Sequence, residues 1–246
     1  MKNKSALLVG VGGQGAILVA KILVTGLMKA GYDVKMSEVH GMSQRGGSVS
    51  TQVHWGEKVY SPVIGKGAAD IMVAFEKMEA VRYADFLKPA GVAIVNDYAI
   101  ASSTTAAGLC QYPEGCLEAM QSHFTCYSLN AGEIAIGLGN ARCMNVVLFG
   151  AMCDMLGVPE VDWESIVAET VPQKVRALNL EAFRAGERLS GSKGRSIWIL
   201  CPNTVPSCAR PRRLCRPSKV GIGWTTHPMC AFPPCWMRPW RNGKRN

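Results

Sequence analysis

The period of the hydrophobic pattern changes several times over the first 190 residues. Ala6-Leu7-Leu8-Val9 is an unbroken apolar run, as in a strand buried on both faces. From Gln14 to Lys29 the apolar residues Ile17, Leu18, Ala20, Leu23, Val24, Leu27 and Met28 recur at helical spacing and predict a broad packing face. Gly31 closes that helix. Asp33 to Ser37 reads as a second strand ending at Glu38. From Ser48 to Trp55 the pattern alternates. Val49, Thr51, Val53 and Trp55 fall on one side and Ser50, Gln52 and His54 on the other, which predicts a half-exposed strand. Gly56-Glu57 then reads as a turn into Lys58-Val59-Tyr60-Ser61. A link that short implies an antiparallel hairpin and hence a mixed sheet.

Asp70 to Phe75 and Gly91 to Asn96 have the composition of buried strands. Glu76 to Leu87 between them reads as a helix that stops before Pro89. Residues 99–122 read as loop, and Phe124 to Leu129 as a strand. Helices follow at Ala131 to Leu138, Asn145 to Leu156, Pro159 to Val171 and Gln173 to Leu189, with Gly139 and Gly157 as stops. The sum predicts an α/β fold: a Rossmann-like layered domain over residues 1–190, its mixed, mostly parallel sheet flanked by helices. Ligands of such sheets gather outside the carboxyl ends of the strands. Gln14, Glu38, Glu76, Asn96, Asp97 and Asn130 are the polar residues expected there.

Charge changes the picture at one point only. The net charge of +9 suggests a nucleic-acid partner until it is divided along the chain. Residues 1–190 carry 16 basic and 18 acidic side chains, while residues 191–246 carry 11 basic side chains and no acid. That last stretch also holds five of the ten Cys, eight of the thirteen Pro and four of the six Trp. It reads as an irregular C-terminal tail, disordered or translated in a shifted reading frame from near Gly191, with a boundary near Ser190–Gly194. The Cys201, Cys208, Cys215 spacing matches no metal motif. No run of eighteen apolar residues occurs, so no membrane span is expected. The N-terminus leads straight into the first strand. A cytoplasmic protein with reduced thiols is the expectation.

Candidate chemistry concentrates in two stretches. In Gly10-Val11-Gly12-Gly13-Gln14-Gly15, the residues Gly10, Gly12 and Gly15 match the spacing of a dinucleotide-binding turn between strand and helix. Ser37-Glu38-Val39-His40-Gly41-Met42-Ser43-Gln44-Arg45-Gly46-Gly47-Ser48 is expected to lie beside it. Gly10, Gly12, Gly13, Gln14, Gly15, Glu38, Ser43, Gln44, Gly46 and Gly47 are candidates for binding a cofactor or a partner subunit. His40 is a candidate general base, and Arg45 a candidate for meeting a carboxylate, a phosphate or another chain. The bland alternatives are a tight connection with no ligand, a hydrogen-bonded loop and a buried ion pair. A nicotinamide site needs an acid at the end of the second strand. Glu38 is near that place, whereas Asp33 has the better spacing at the wrong end. No His/Cys pair in residues 1–190 has zinc spacing, and no four-Cys ferredoxin run occurs. A stand-alone NAD-binding Rossmann-type oxidoreductase stays open as an alternative, as does a nucleic-acid-binding protein acting through the basic tail.

The glycine turn, the 37–48 stretch and Tyr60-Ser61-Pro62 together resemble the beta subunit of indolepyruvate ferredoxin oxidoreductases. More broadly, they resemble the gamma-type domain of the 2-oxoacid:ferredoxin oxidoreductases. Ala74-Phe75-Glu76, Ile94-Val95-Asn96, Val171-Pro172-Gln173-Lys174 and Asn179-Leu180-Glu181-Ala182-Phe183 are similar to the same subunit, and the likeness runs from residue 4 to about 190. The resemblance implies oxidative decarboxylation of an arylpyruvate to an aryl-acyl-CoA, with electrons passed to ferredoxin. It implies that thiamine diphosphate, magnesium and 4Fe-4S clusters sit on an alpha subunit, and that this chain alone binds none of them. Coenzyme A enters as co-substrate. The glycine turn and the 37–48 stretch would then face the alpha subunit or help to enclose its substrate or coenzyme A.

Overall fold

The structure, a computed structural model, describes residues 3–40 and 46–190. Strand β1 (Lys4–Val11) leads through the glycine turn into helix α1 (Ala16–Lys29). Strands β2 (Asp33–His40), β3 (Ser48–Gly56) and β4 (Ala69–Ala74) follow. Then come α2 (Lys77–Arg82), β5 (Leu87–Asn96), α3 (Ser103–Ala106), α4 (Cys116–His123) and β6 (Thr125–Leu129). Helices α5 (Ala131–Gly137), α6 (Met144–Leu156), α7 (Trp163–Thr170) and α8 (Arg176–Ser190) complete the described chain.

The six strands form one sheet in the order β2-β3-β1-β4-β5-β6. β1, β4, β5 and β6 pair in parallel, while β3 is antiparallel to both β1 and β2. The expected α/β layering with a mixed sheet is therefore present. Its antiparallel part comes from β3 lying between β1 and β2, and not from a hairpin into residues 58–61. Residues 58–61 form no strand, because both edges of β3 are already occupied. The 57–64 segment instead runs over the sheet. The Val59 N–H donates to Asp33 Oδ2 at 2.9 Å, and the Ile64 N–H donates to Gln52 Oε1 at 2.6 Å. That cover, together with the two flanking strands, also corrects the half-exposed expectation for β3. Ser50, Thr51, Gln52, Val53 and Trp55 are all buried.

Successive side chains of β1 go to opposite cores, which is why its apolar run is continuous. Ala6 and Leu8 join α1, α5, α6, α7 and α8 on one face, while Leu7 and Val9 join the α2 and α4 side. The α1 face is narrower than expected, with Ile17 and Met28 largely exposed. Gly26 on α1 leaves room for the Trp163 ring, which meets Phe149 edge-on with centroids 5.4 Å apart. α6 and α8 cross at Gly150 and Gly186. An added Cβ at Gly150 would stand 2.2 Å from the Phe183 carbonyl oxygen, and one at Gly186 2.0 Å from that of Val147.

Three further expectations are corrected. The 99–122 loop contains α3 and α4. The helix after β4 is short, and β5 begins at Leu87, where it pairs with Ala69 before a register shift. β2 runs on through Glu38 to His40, so the first four residues of the 37–48 stretch are strand. The tail beyond Ser190 lies outside the described residues.

Candidate functional site

β1 ends between β3 and β4, and the glycine turn emerges there. On one side the Phe75 N–H donates to the Val9 carbonyl at 2.8 Å, extending the pairing past the end of β4. On the other side the turn meets the end of the 37–48 stretch. The Gly12 N–H donates to the Gly47 carbonyl at 2.8 Å, and the Gly46 N–H donates to the Gly12 carbonyl at 3.3 Å. The two stretches singled out in the sequence are thus bonded backbone to backbone.

The glycines serve different needs. At Gly10 a Cβ would lie 2.9 Å from both Gln14 Oε1 and Phe75 Cβ. At Gly15, where φ is +84°, a Cβ would lie 2.3 Å from the Asn145 amide nitrogen. Gly13 has φ +103° with open space around its missing Cβ, so its need is conformational alone. Gln14 does not project into solvent. Its Oε1 accepts from the Val11 N–H at 2.7 Å, and its Nε2 donates to the Phe75 carbonyl at 2.9 Å. Its side chain therefore ties the turn to β4.

A pocket of about 390 Å³ opens at this corner, lined by Val11, Gly12, Gly13, Gln14, Gly15, Ala16, Ile17, Glu38, Val49 and Thr51. Glu38 reaches it because its place on β2 is opposite Thr51 of β3. One wall is the start of α1, whose first N–H groups have no intrahelical partner and no side-chain cap at Gly15. Glu38 also lines the pocket, and its carboxylate has no hydrogen-bond or ion-pair partner among the described residues. No Lys or Arg is among the described lining residues.

Behind the pocket lies a buried polar layer. Glu76 is fully buried, and its Oε2 caps α2 by accepting from the Glu79 N–H at 2.9 Å. Its Oε1 accepts from the Ile100 N–H at 3.3 Å and from the Tyr112 hydroxyl. Burial first, then that bond, pushes the Tyr112 hydroxyl above its ordinary range. Burial also raises the nearby Cys116 thiol to about 11, which keeps it protonated and unreactive. Glu79 accepts from the Ser48 hydroxyl at one oxygen and from Arg82 Nε, at 2.9 Å, at the other. Burial raises its pKa, and the Ser48 and Arg82 contacts oppose that shift. Asn96 donates to the Phe75 carbonyl at 3.1 Å and accepts from the Ala131 N–H at 2.9 Å, joining β5 to the start of α5. Asp97 pairs with Lys77 at 3.0 Å, and Asn130 caps α5.

Of the residues predicted from sequence, Gly12, Gly13, Gln14, Gly15 and Glu38 share the pocket, Gly10 packs beneath the turn, and Gly46 and Gly47 bind it from above. His40 is the last residue of β2. Ser43, Gln44 and Arg45 lie outside the described residues. The sequence places Asn145 only as the start of a helix, whereas its amide donates to the Gly15 carbonyl at 3.3 Å. The signal available was one polar residue at the start of the apolar Val146-Val147-Leu148-Phe149 run. Ser48 and Glu79 were missed as a pair, because 31 residues separate them. Among the described residues, no three His, Cys, Asp or Glu side chains converge as metal ligands would. The Cys residues there are free thiols spread over separate elements.

Residues 5–189 match the pyruvate ferredoxin/flavodoxin oxidoreductase family model. The chain belongs to that family. It is 36% identical over 192 residues to the indolepyruvate oxidoreductase subunit IorB of Thermococcus kodakarensis, covering 76% of this chain and 95% of the relative. With the subunit of the same name from Archaeoglobus fulgidus the identity is 40% over 187 residues, covering 72% and 90%. Among solved structures, the gamma subunit of a keto/oxoacid ferredoxin oxidoreductase from Geobacter sulfurreducens superposes with a TM-score of 0.57 at 23% identity, covering 76% of this chain and 98% of that one. A 2-oxoglutarate:ferredoxin oxidoreductase from Magnetococcus marinus superposes with a TM-score of 0.60 at 20% identity, covering 77% of this chain but 31% of that larger one. These two structural likenesses establish the fold.

Proposed function

We propose that this chain is the beta subunit of an indolepyruvate (aryl 2-oxoacid):ferredoxin oxidoreductase. In the assembled enzyme an arylpyruvate loses its carboxylate as carbon dioxide, its acyl group passes to the thiol of coenzyme A, and two electrons pass to ferredoxin. The observation that carries this reading is the match to subunits named for indolepyruvate, at 36–40% identity over 90–95% of their length. Relatives named for 2-oxoglutarate match at 27–28%.

Thiamine diphosphate, magnesium and the 4Fe-4S clusters are assigned to the alpha subunit, and no residue of this chain is assigned as their ligand. The role of the β1–α1 corner is contact: the glycine turn, Gly46-Gly47 and Glu38 form a preorganised polar surface for the alpha subunit or for the substrates it holds. Ile17 and Val39, exposed near that corner, supply apolar area. The family assignment offers no nucleic-acid or membrane role, and no helix among the described residues is long and apolar enough to cross a bilayer.

The test is substrate preference of the co-expressed alpha–beta complex, read as coenzyme A-dependent dye reduction. Indolepyruvate and other arylpyruvates are expected to exceed pyruvate and 2-oxoglutarate in kcat/KM. Preference for 2-oxoglutarate would overturn the arylpyruvate assignment. One observation favours a second reading, since Glu38 and the glycine turn line one pocket, as the acid and turn of a nucleotide site do. Tight binding in an NAD(H) titration of the full chain would support it.

A further inference from the structure

The polar layer behind the pocket contains a bonded path that the contact role does not use. Glu79 on α2 is 2% exposed and accepts from the Ser48 hydroxyl. Ser48 opens β3, directly after Gly46-Gly47, and those two glycines exchange backbone hydrogen bonds with Gly12. Val11, beside Gly12, pairs with Ser48 across β1 and β3. Arg82 holds the other Glu79 oxygen, so the carboxylate is fixed from its own helix while it holds the strand opposite. Glu76, one turn earlier, donates nothing to Glu79 through its side chain but accepts its backbone N–H, locking the first turn of α2 in place. The Tyr83 hydroxyl stands 3.4 Å from Ser48 Oγ and completes the surroundings.

We propose that Glu79 is a positioning residue: acting through Ser48, it sets where Gly46-Gly47 lies on the glycine turn, and thereby steadies Gly12, which lines the pocket. A two-residue glycine segment has little stiffness of its own. Its downstream end is held by the Ser48–Val11 ladder pair and, through the Ser48 hydroxyl, by a buried carboxylate, which is a strong anchor. The inference deepens the contact role proposed above and rests on it for its consequence in the complex. The anchoring itself is a property of this chain alone.

The experiment uses the full chain, free and co-expressed with its alpha subunit, as wild type and as Ser48→Ala, Ser48→Thr and Glu79→Ala. Hydrogen exchange is followed in the peptides that carry the Gly12 and Gly46 amides, with peptides from β4 and β5 as internal reference. Ser48→Ala and Glu79→Ala are expected to speed exchange at the turn by about ten-fold or more, the scale of one lost hydrogen bond to a charged group, with the reference peptides unchanged. Ser48→Thr, which keeps the hydroxyl, is expected to restore protection. Should Glu79→Ala loosen the whole fold, Ser48→Ala, which removes only the hydroxyl, decides. Unchanged exchange at the turn in Ser48→Ala, or Ser48→Thr exchanging as fast as Ser48→Ala, overturns the proposal. Fast exchange with weakened binding of the alpha subunit supports both the anchor and the contact role. Fast exchange with undiminished alpha-subunit binding and activity supports the anchor and removes the contact role instead.

Discussion

Gly15 sits in left-handed backbone at φ +84°, and a methyl group there would stand 2.3 Å from the Asn145 amide nitrogen. Gly15→Ala therefore meets backbone strain and a clash together, and is expected to lower unfolding free energy by about 1–3 kcal/mol in urea titrations. Gly13→Ala has only the backbone cost, because nothing lies near its Cβ position, and should lose less. Glu79 gives a prediction in pH. Its folded-state pKa lies above the ordinary 4.5, so the folded protein binds a proton more readily than the unfolded chain. Its contribution is thus fully present below the ordinary value and lost as pH rises through the raised one. Glu79→Gln, which cannot ionise, should flatten that part of the stability-against-pH curve, and a curve with unchanged slope would contradict the assignment. The glycine turn was legible because glycine leaves a visible mark in the sequence. The Asn145 and Glu79 contacts were not, because side chains 130 and 31 residues from their partners leave no local trace.

At the scale of elements, apolar runs identified β1, β4 and β5 because those strands are covered on both faces and tolerate few polar residues. The same rule explains the error at β3. Its Ser50 and Gln52 fall on the side expected to be solvated, yet they are buried, and the Gln52 side chain is met by the Ile64 N–H. Alternation reports polarity, and a covering segment can satisfy polarity without water. The missed contact of greatest mechanical weight is the crossing of α6 and α8, where Gly150 and Gly186 bring backbone against backbone. Gly186→Leu must push the helices apart, and about 3 kcal/mol or more of stability should be lost, in the upper range for overpacked cores. Thermal denaturation monitored by circular dichroism would measure it, and a melting temperature equal to wild type would refute that crossing.

For the molecule as a whole, the pattern of elements supplied the class of fold, while the resemblance to a family rested on particular residues in turns, strand ends and the last helix. The chain matches the pyruvate ferredoxin/flavodoxin oxidoreductase family over residues 5–189, a span that includes the glycine turn and the 37–48 stretch. The charge boundary falls at the end of that match, since every acidic residue lies before it. We propose that the basic stretch 191–246 plays no part in assembly. A chain ended after Ser190 should then bind the alpha subunit as tightly as the full chain, with equal Kd values in a binding titration. On the function proposed above, this polypeptide works only as the companion of a cofactor-bearing subunit. The direct measurement is indolepyruvate- and coenzyme A-dependent reduction of ferredoxin by the purified chain alone, by the alpha subunit alone and by the two combined. Activity confined to the combination is the predicted result, and turnover by this chain alone would contradict it.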